Sequence, residues 1–239
     1  MRNRPALLLC VLLLGLTACG APIEEEPFSA AFTIRPEPEL TEVYFDTSYA
    51  EETQILYDDA LNADQLRALF AQALFGADAA IAVRWVSPVR YVLRGSFTAD
   101  DAQTVSDLAA DLKTVPAFPG IRETTADDAN LEIRFSEAGQ VRFSPKTDGS
   151  GRILSAQITI PQTLESAQRK AALYQSILRA CGFFFTAHTP LESVLSEDTP
   201  AAALTEADWA MLHVLYGSIE PGESEDVCLQ KFDQVMLSD

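Results

Sequence analysis

The chain has 239 residues, which suits one large domain with a tether better than two separate domains. Apolar residues make up 48% and charged residues 22%, so the composition indicates a globular protein and excludes a fibrous or largely disordered one. Acidic residues outnumber basic residues 35 to 17, for a formal charge of −18 at pH 7. Since nucleic-acid binding depends on Lys and Arg that displace counterions, this balance argues against nucleic acid as a partner.

Residues 1–18 are typical of a lipoprotein export signal. Arg2 and Arg4 form a positive start, and the apolar stretch at 7–16 is too short to span a bilayer as a helix. The stretch ends in Leu-Thr-Ala followed by Cys19, which resembles the lipobox where bacterial signal peptidase II cuts and the cysteine is diacylated. The alternative is an ordinary secretory signal with an accidental cysteine.

A lipidated Cys19 would anchor the protein to a membrane, because each acyl methylene buried in the bilayer contributes about 0.8 kcal/mol to the free energy of binding. The membrane is therefore an expected partner. Gly20 follows the cysteine where Asp would retain it, and by resemblance to Gram-negative sorting this favours the outer membrane, facing the periplasm. Residues 19–38 are rich in Pro and Glu and predict a flexible tether. We therefore expect a single domain over residues 39–239.

Two cysteines remain for the folded part, Cys181 and Cys228, if Cys10 leaves with the signal. In an oxidising compartment they can form a disulfide, worth about 4 kcal/mol if the geometry allows. The other interpretation is two unpaired buried thiols that pack as small apolar side chains.

Hydrophobic periodicity and turn residues predict the order of helices and strands. Capping-box spacing marks the start of two helices, at Thr98 with Asp101 and at Thr205 with Asp208. The predicted elements are a helix at 64–75, extended structure at 80–95, a helix at 98–115, a strand at 129–135, a hairpin of 140–143 and 153–160 around a turn at 148–151, and helices at 163–181, 205–217 and 224–237. This order predicts an α+β fold, in which a mixed sheet packs against long helices and the C-terminal part is helical.

The C-terminal part of the chain combines three features in a fixed order. A helix stops at Gly182, an irregular segment that contains Ser193 follows, and the next helix begins Leu-Thr-x-x-Asp and ends Leu-Tyr-Gly at Gly217. This order resembles the catalytic half of metzincin zinc peptidases, where a zinc-binding helix ends at a glycine, a methionine-containing turn follows and a similar helix packs beneath. The resemblance implies a metzincin-like domain, with the strand at 153–160 as the edge strand.

The metal ligands of that family are replaced in this chain. With the glycine of the family pattern H-E-x-x-H-x-x-G-x-x-H at Gly182, the three histidine positions fall on Gln175, Arg179 and Phe185, and the general base falls on Ser176. Zinc needs neutral imidazole, carboxylate or thiolate donors with one open position, and these residues supply none of them. The resemblance therefore implies a pseudo-peptidase without metal or cofactor.

The same pattern, with Trp85-x-x-Pro88-Val89 upstream, is similar to a bacterial envelope family of unknown function, number twenty-nine twenty-seven. The replaced ligand positions favour a non-enzymatic binding or structural role in the envelope, with an envelope protein or peptide as partner. 

A hydrolase is the alternative function. Ser176, His188 and Glu192 can be combined into a nucleophile, base and acid. The sequence around them has neither a nucleophile elbow nor a recognisable oxyanion hole.

Overall fold

The computed structural model describes residues 62–76, 79–137 and 139–236. The predicted export signal, Cys19 and the tether at 19–38 lie outside these residues. The chain divides into two units, Met1–Glu52 and Thr53–Asp239, and all the described residues belong to the second. Among them, no helix is both long and apolar enough to cross a membrane.

The described residues form an α+β fold with five helices and five strands. In chain order they are α1 Ala63–Phe75, β1 Val89–Gly95, α2 Ala99–Leu112, β2 Ile121–Glu123, β3 Leu131–Ser136, β4 Arg142–Thr147, β5 Ile153–Pro161, α3 Ser166–Ala180, α4 Glu206–Gly217 and α5 Glu225–Met236. The short strand β2 was not predicted, and α2 stops three residues before the expected end at 115.

Both predicted capping boxes are confirmed. At the start of α2, the backbone N–H of Asp101 donates to Thr98 Oγ1 at 3.2 Å, and the Asp101 carboxylate accepts the Thr98 N–H at 2.8 Å. Thr205 and Asp208 form the same reciprocal pair at the start of α4. Each box satisfies backbone donors that an α-helix leaves without a partner in its first turn.

The five strands form one mixed sheet in the order β2-β1-β3-β5-β4. β1 is parallel to β2 and β3, β3 is parallel to β5, and β4 is antiparallel to β5. The predicted antiparallel hairpin is confirmed as β4 and β5, although β4 runs to Thr147 whereas the predicted strand ended at residue 143. Its turn is held by Asp148, whose carboxylate accepts the backbone N–H groups of Ser150 and Arg152.

The expectation that residues 153–160 form an edge strand is wrong. They belong to β5, which pairs on both sides, whereas β4 is the edge. The reason lies in the side chains: Ile158 and Ile160 of β5 are fully buried, while β4 is mostly polar and contains Pro145. Proline lacks a donor for a second neighbour and is therefore tolerated at an edge.

One face of the sheet and the helices enclose the core. Ile133 of β3 and Ile158 of β5 are fully buried on that face, where α3 packs against β5 and β4, and α2 packs against β2 and α3. The helices α1, α4 and α5 form a second packed group, in which the rings of Phe70 and Phe232 lie 4.9 Å apart. The other face of the sheet carries mostly polar side chains, with Val92 of β1 as an apolar exception.

Candidate functional site

The candidate site is the C-terminal end of α3, where Gln175 and Arg179 are half-buried, together with the segment that follows it. The helix ends at Ala180, and the chain turns at Gly182, which has φ +132°. A Cβ on this residue would lie 2.3 Å from the Val83 carbonyl oxygen, so only glycine fits here. The glycine stop expected from the sequence is therefore required by close packing against the chain before β1.

Gln175 and Arg179 lie one helical turn apart and both bind the backbone of the following segment. Gln175 Nε2 donates to the Val194 carbonyl at 2.9 Å. Arg179 Nε and Nη2 both donate to the Phe184 carbonyl, at 3.0 and 2.8 Å. The Arg179 guanidinium also lies over the ring of Phe143 on β4, 5.1 Å from its centroid. Both side chains therefore connect α3 to the segment that follows it, and Arg179 also connects α3 to β4.

Phe185, the third position that the resemblance equates with a metal ligand, lies against α1. Its backbone N–H donates to the Ala73 carbonyl at 3.1 Å. Its ring packs on Gly76, where a Cβ would come within 2.7 Å of the ring. The structure therefore brings Gln175 and Arg179 to one segment and places Phe185 at the end of α1.

Asp208 anchors the same segment from the side of α4. It is fully buried, and its carboxylate accepts the Ser193 hydroxyl at 2.6 Å, the Val194 N–H at 3.2 Å and the Thr205 N–H at 2.9 Å. Burial raises the pKa of Asp208, while these hydrogen bonds act in the opposite direction. The sequence identified Asp208 only as a helix cap; its reach to Ser193 and Val194 depends on the tertiary fold.

The structure does not bring Ser176, His188 and Glu192 together. Ser176 is buried within α3, with 1% of its surface exposed. The side chain of His188 is 77% exposed, and its ring nitrogens face Glu197 at 3.0 Å and Asp198 at 3.1 Å. The hydrogen bond with Asp198 and the charge of Glu197 raise the pKa of His188. The carboxylates that contact His188 therefore belong to Glu197 and Asp198, whereas the triad required Glu192.

Cys181 and Cys228 are both free thiols, so the disulfide considered from the sequence is not formed in this structure. Cys181 caps the end of α3, and Cys228 lies in the first turns of α5, where its Sγ contacts the Glu223 carbonyl at 3.9 Å. Burial raises the pKa of each thiol to about 12. These are the properties of cysteines that pack as small apolar side chains.

The fit of the α3 positions to zinc is poor on chemical grounds. The three positions that the resemblance equates with metal ligands hold an amide that binds Val194, a guanidinium that binds Phe184 and a benzyl ring. Burial lowers the pKa of Arg179, but a guanidinium remains charged and opposes a cation. Within residues 62–236, where described, no three His, Cys, Asp or Glu side chains are arranged to hold a metal ion.

Two open depressions lie elsewhere on the surface. One, of about 320 Å³, lies between α2 and α3 and includes Asp100, Asp107 and Lys170. The other, of about 360 Å³, lies over β5 on the polar side of the sheet. No protein-family model and no curated protein matches this chain.

Proposed function

We propose that this protein is a non-enzymatic, lipid-anchored protein of the bacterial cell envelope, with a degenerate metzincin-like domain that has a binding or structural role. One observation carries the proposal. Gln175 and Arg179, at two positions where the resemblance expects zinc-binding histidines, donate to main-chain carbonyls of the segment after α3. Side chains committed in this way hold the segment in place and are not free to bind a metal.

The hydrogen bonds around Val194 support a structural role for these replacements. Val194 is buried, and its carbonyl binds Gln175 while its N–H binds Asp208. A buried carbonyl without a donor costs about 1–3 kcal/mol. A side chain at position 175 that turned toward a metal would leave the Val194 carbonyl without this donor, so metal binding and loop stability compete here.

The sheet supports the metzincin-like part of the proposal. It is mixed, its single antiparallel strand β4 lies at the edge, and α3 packs beside β4 and β5. The outer edge of β4 presents N–H and C=O groups that an extended peptide can pair with, except at Pro145, which has no N–H. An envelope protein or peptide that adds a strand to β4 is the partner that this geometry suits best.

The central test is zinc content. The purified mature protein is incubated with zinc, passed through a desalting column and measured by elemental analysis. We expect far less than one zinc per chain, and an unchanged value in a His188→Ala variant that removes the exposed imidazole. Stoichiometric zinc whose chelation also abolishes a peptide-cleaving activity would overturn the proposal.

A covalent serine probe tests the hydrolase alternative separately. Because Ser176 is buried in α3, we expect no labelling of the native protein by a fluorophosphonate. Labelling that Ser176→Ala removes, and that Ser144→Ala on the exposed strand β4 leaves intact, would establish a serine hydrolase and refute a non-enzymatic role.

A further inference from the structure

The polar side of the sheet collects basic side chains. Strand register places Arg90 opposite Arg122, Arg94 opposite Arg134, and Thr159 opposite Arg142, so these side chains project from one face. Lys146 of β4 pairs with Ser155 and projects from the same face. We call this surface the basic face, and its six cations are Arg90, Arg94, Arg122, Arg134, Arg142 and Lys146.

The charge of the basic face is opposite to that of the whole protein, whose formal charge is −18. Among the strand residues of this face, Glu132 is the only carboxylate, and it is shared by Arg134 at 2.6 Å and Arg94 at 3.4 Å. The other four cations form no ion pair with any described residue. Arg90 is half-buried and donates to the Asp128 carbonyl, and three cations at the two sides of the face are exposed: Arg122, Arg142 and Lys146. One surface of this acidic protein therefore carries positive charge that the single carboxylate of Glu132 does not neutralise.

The shape of the basic face suits a broad anionic surface better than a single small anion. Five strands about 4.8 Å apart spread its cations over about 20 Å. Between them lies the open depression over β5, with Ser155 and Gln157 at its floor and Lys146 at its side. Its lining is mostly polar, its apolar members being Ala129, Pro145 and Ala156, and it includes no aromatic or large aliphatic side chain that would insert into a bilayer.

We propose that the basic face docks the domain onto the anionic phospholipid headgroups of the membrane. Arginine and lysine pair with phosphate groups, and each one close to an anionic surface raises membrane partitioning about fivefold. The acidic residues of α2 lie behind the sheet, on the side of the helices. A helix layer is about 10 Å thick and the Debye length about 8 Å at physiological salt, so their repulsion of the membrane is largely screened.

This docking rests on the proposed function in one respect only, because the lipid anchor brings the domain to the bilayer. It also sets an orientation. With the basic face on the headgroups, α3 lies on the opposite side of the sheet, so Gln175 and Arg179 face away from the membrane. The edge of β4 then lies along the membrane surface, accessible to a partner from the side.

The test is flotation of the mature chain with vesicles, using Cys19→Ser so that no lipid anchor contributes. Vesicles containing phosphatidylglycerol are compared with pure phosphatidylcholine, at low salt and at about 0.5 M NaCl, where charges beyond a few ångström are screened. The test variant is Arg122→Gln/Arg142→Gln/Lys146→Gln, which breaks no ion pair among the described residues. The control variant, Arg67→Gln/Lys113→Gln/Lys170→Gln, removes the same charge from the helices. Circular dichroism checks that both remain folded.

We expect binding to phosphatidylglycerol vesicles at low salt, none to phosphatidylcholine, and loss of binding at high salt. Neutralising three cations should lower the partition coefficient about 100-fold, and the control should change it much less. Absence of binding to anionic vesicles, or equal loss in the two variants, would overturn the proposal. Binding to soluble polyglutamate but not to vesicles would assign the face to an acidic polypeptide and would overturn it as well. Neither failure bears on zinc content or on lipidation of Cys19, which are measured separately.

Discussion

Gln175 and Asp208 bind opposite sides of one residue. The Gln175 amide donates to the Val194 carbonyl at 2.9 Å, and the Asp208 carboxylate accepts the Val194 N–H at 3.2 Å. The first side chain comes from α3 and the second from α4. Side chains of the two helices thus bind the backbone of the intervening segment from both sides.

Removing the Gln175 amide should destabilise the domain. Gln175→Ala leaves the buried Val194 carbonyl without this donor, and we expect the free energy of unfolding to fall by about 1–3 kcal/mol. Urea denaturation monitored by circular dichroism measures the change. Gln72→Ala, the same substitution at an exposed position of α1, is the control and should have little effect. Equal midpoints for the two variants would show that the contact with Val194 contributes nothing.

The pKa values of the two histidines should lie on opposite sides of 6.5, the ordinary pKa of a histidine. Contact with Asp198 and Glu197 raises the pKa of His188, and burial lowers the pKa of His213. NMR titration of the imidazole protons measures both, with His188→Gln for assignment. The Glu197→Gln/Asp198→Asn variant should return His188 toward 6.5 and leave His213 unchanged; the same midpoint for both histidines in the native protein would contradict this prediction.

These two shifts have opposite consequences for stability. The raised pKa of His188 contributes stability that is present below pH 6.5 and is lost as the pH rises through its folded-state pKa. The lowered pKa of His213 contributes stability that is present above pH 6.5 and is lost as the pH falls through its folded-state pKa. Because His188 is present in both proteins, a comparison of His213→Gln with the native chain isolates the His213 contribution. As the pH falls below 6.5, the free energy of unfolding of the native chain, measured by urea denaturation, should decrease relative to that of the variant.

Cys181 and Cys228 should resist thiol reagents in the native protein. Burial raises the pKa of both to about 12, which lowers the reactive thiolate fraction about 1000-fold relative to the ordinary pKa of 9.0. Without reductant, we expect almost no reaction with Ellman's reagent until a denaturant is added, and then reaction at both cysteines. In the Cys181→Ala variant, one reactive thiol should appear after denaturation instead of two. An intact mass two hydrogens lower, with no reactive thiol after denaturation, would instead reveal a disulfide.

Cys19 should carry the lipid that the sequence predicts. Growth of an expressing bacterium with an alkyne analogue of palmitate should label the native protein, and Cys19→Ser should abolish the label because it removes the acylated thiol. Cys10→Ser, a matched change within the predicted signal, should leave labelling intact. Label that persists in Cys19→Ser would exclude this cysteine as the attachment point.

Local signals in the sequence determined the starts and stops of the helices. The capping boxes at Thr98 and Thr205 are visible because they depend on residues within a few positions of each other. The turn at Asp148 is visible for the same reason, since its carboxylate binds N–H groups two and four residues later. The stop at Gly182 is visible from the glycine itself, although the contact that requires a glycine there, with the Val83 carbonyl, is long-range. The α+β class follows from the order of these elements.

Long-range pairing decided the rest, because it depends on which elements meet in space. β5 lies inside the sheet rather than at its edge, Phe185 packs on α1, and Gln175 meets Val194 across a separation of 19 residues. The basic face likewise exists only through strand register, which aligns cations from four strands that are far apart in the chain. A one-residue slip in any strand would turn its cation to the buried side, so the sequence pattern alone could not reveal this surface.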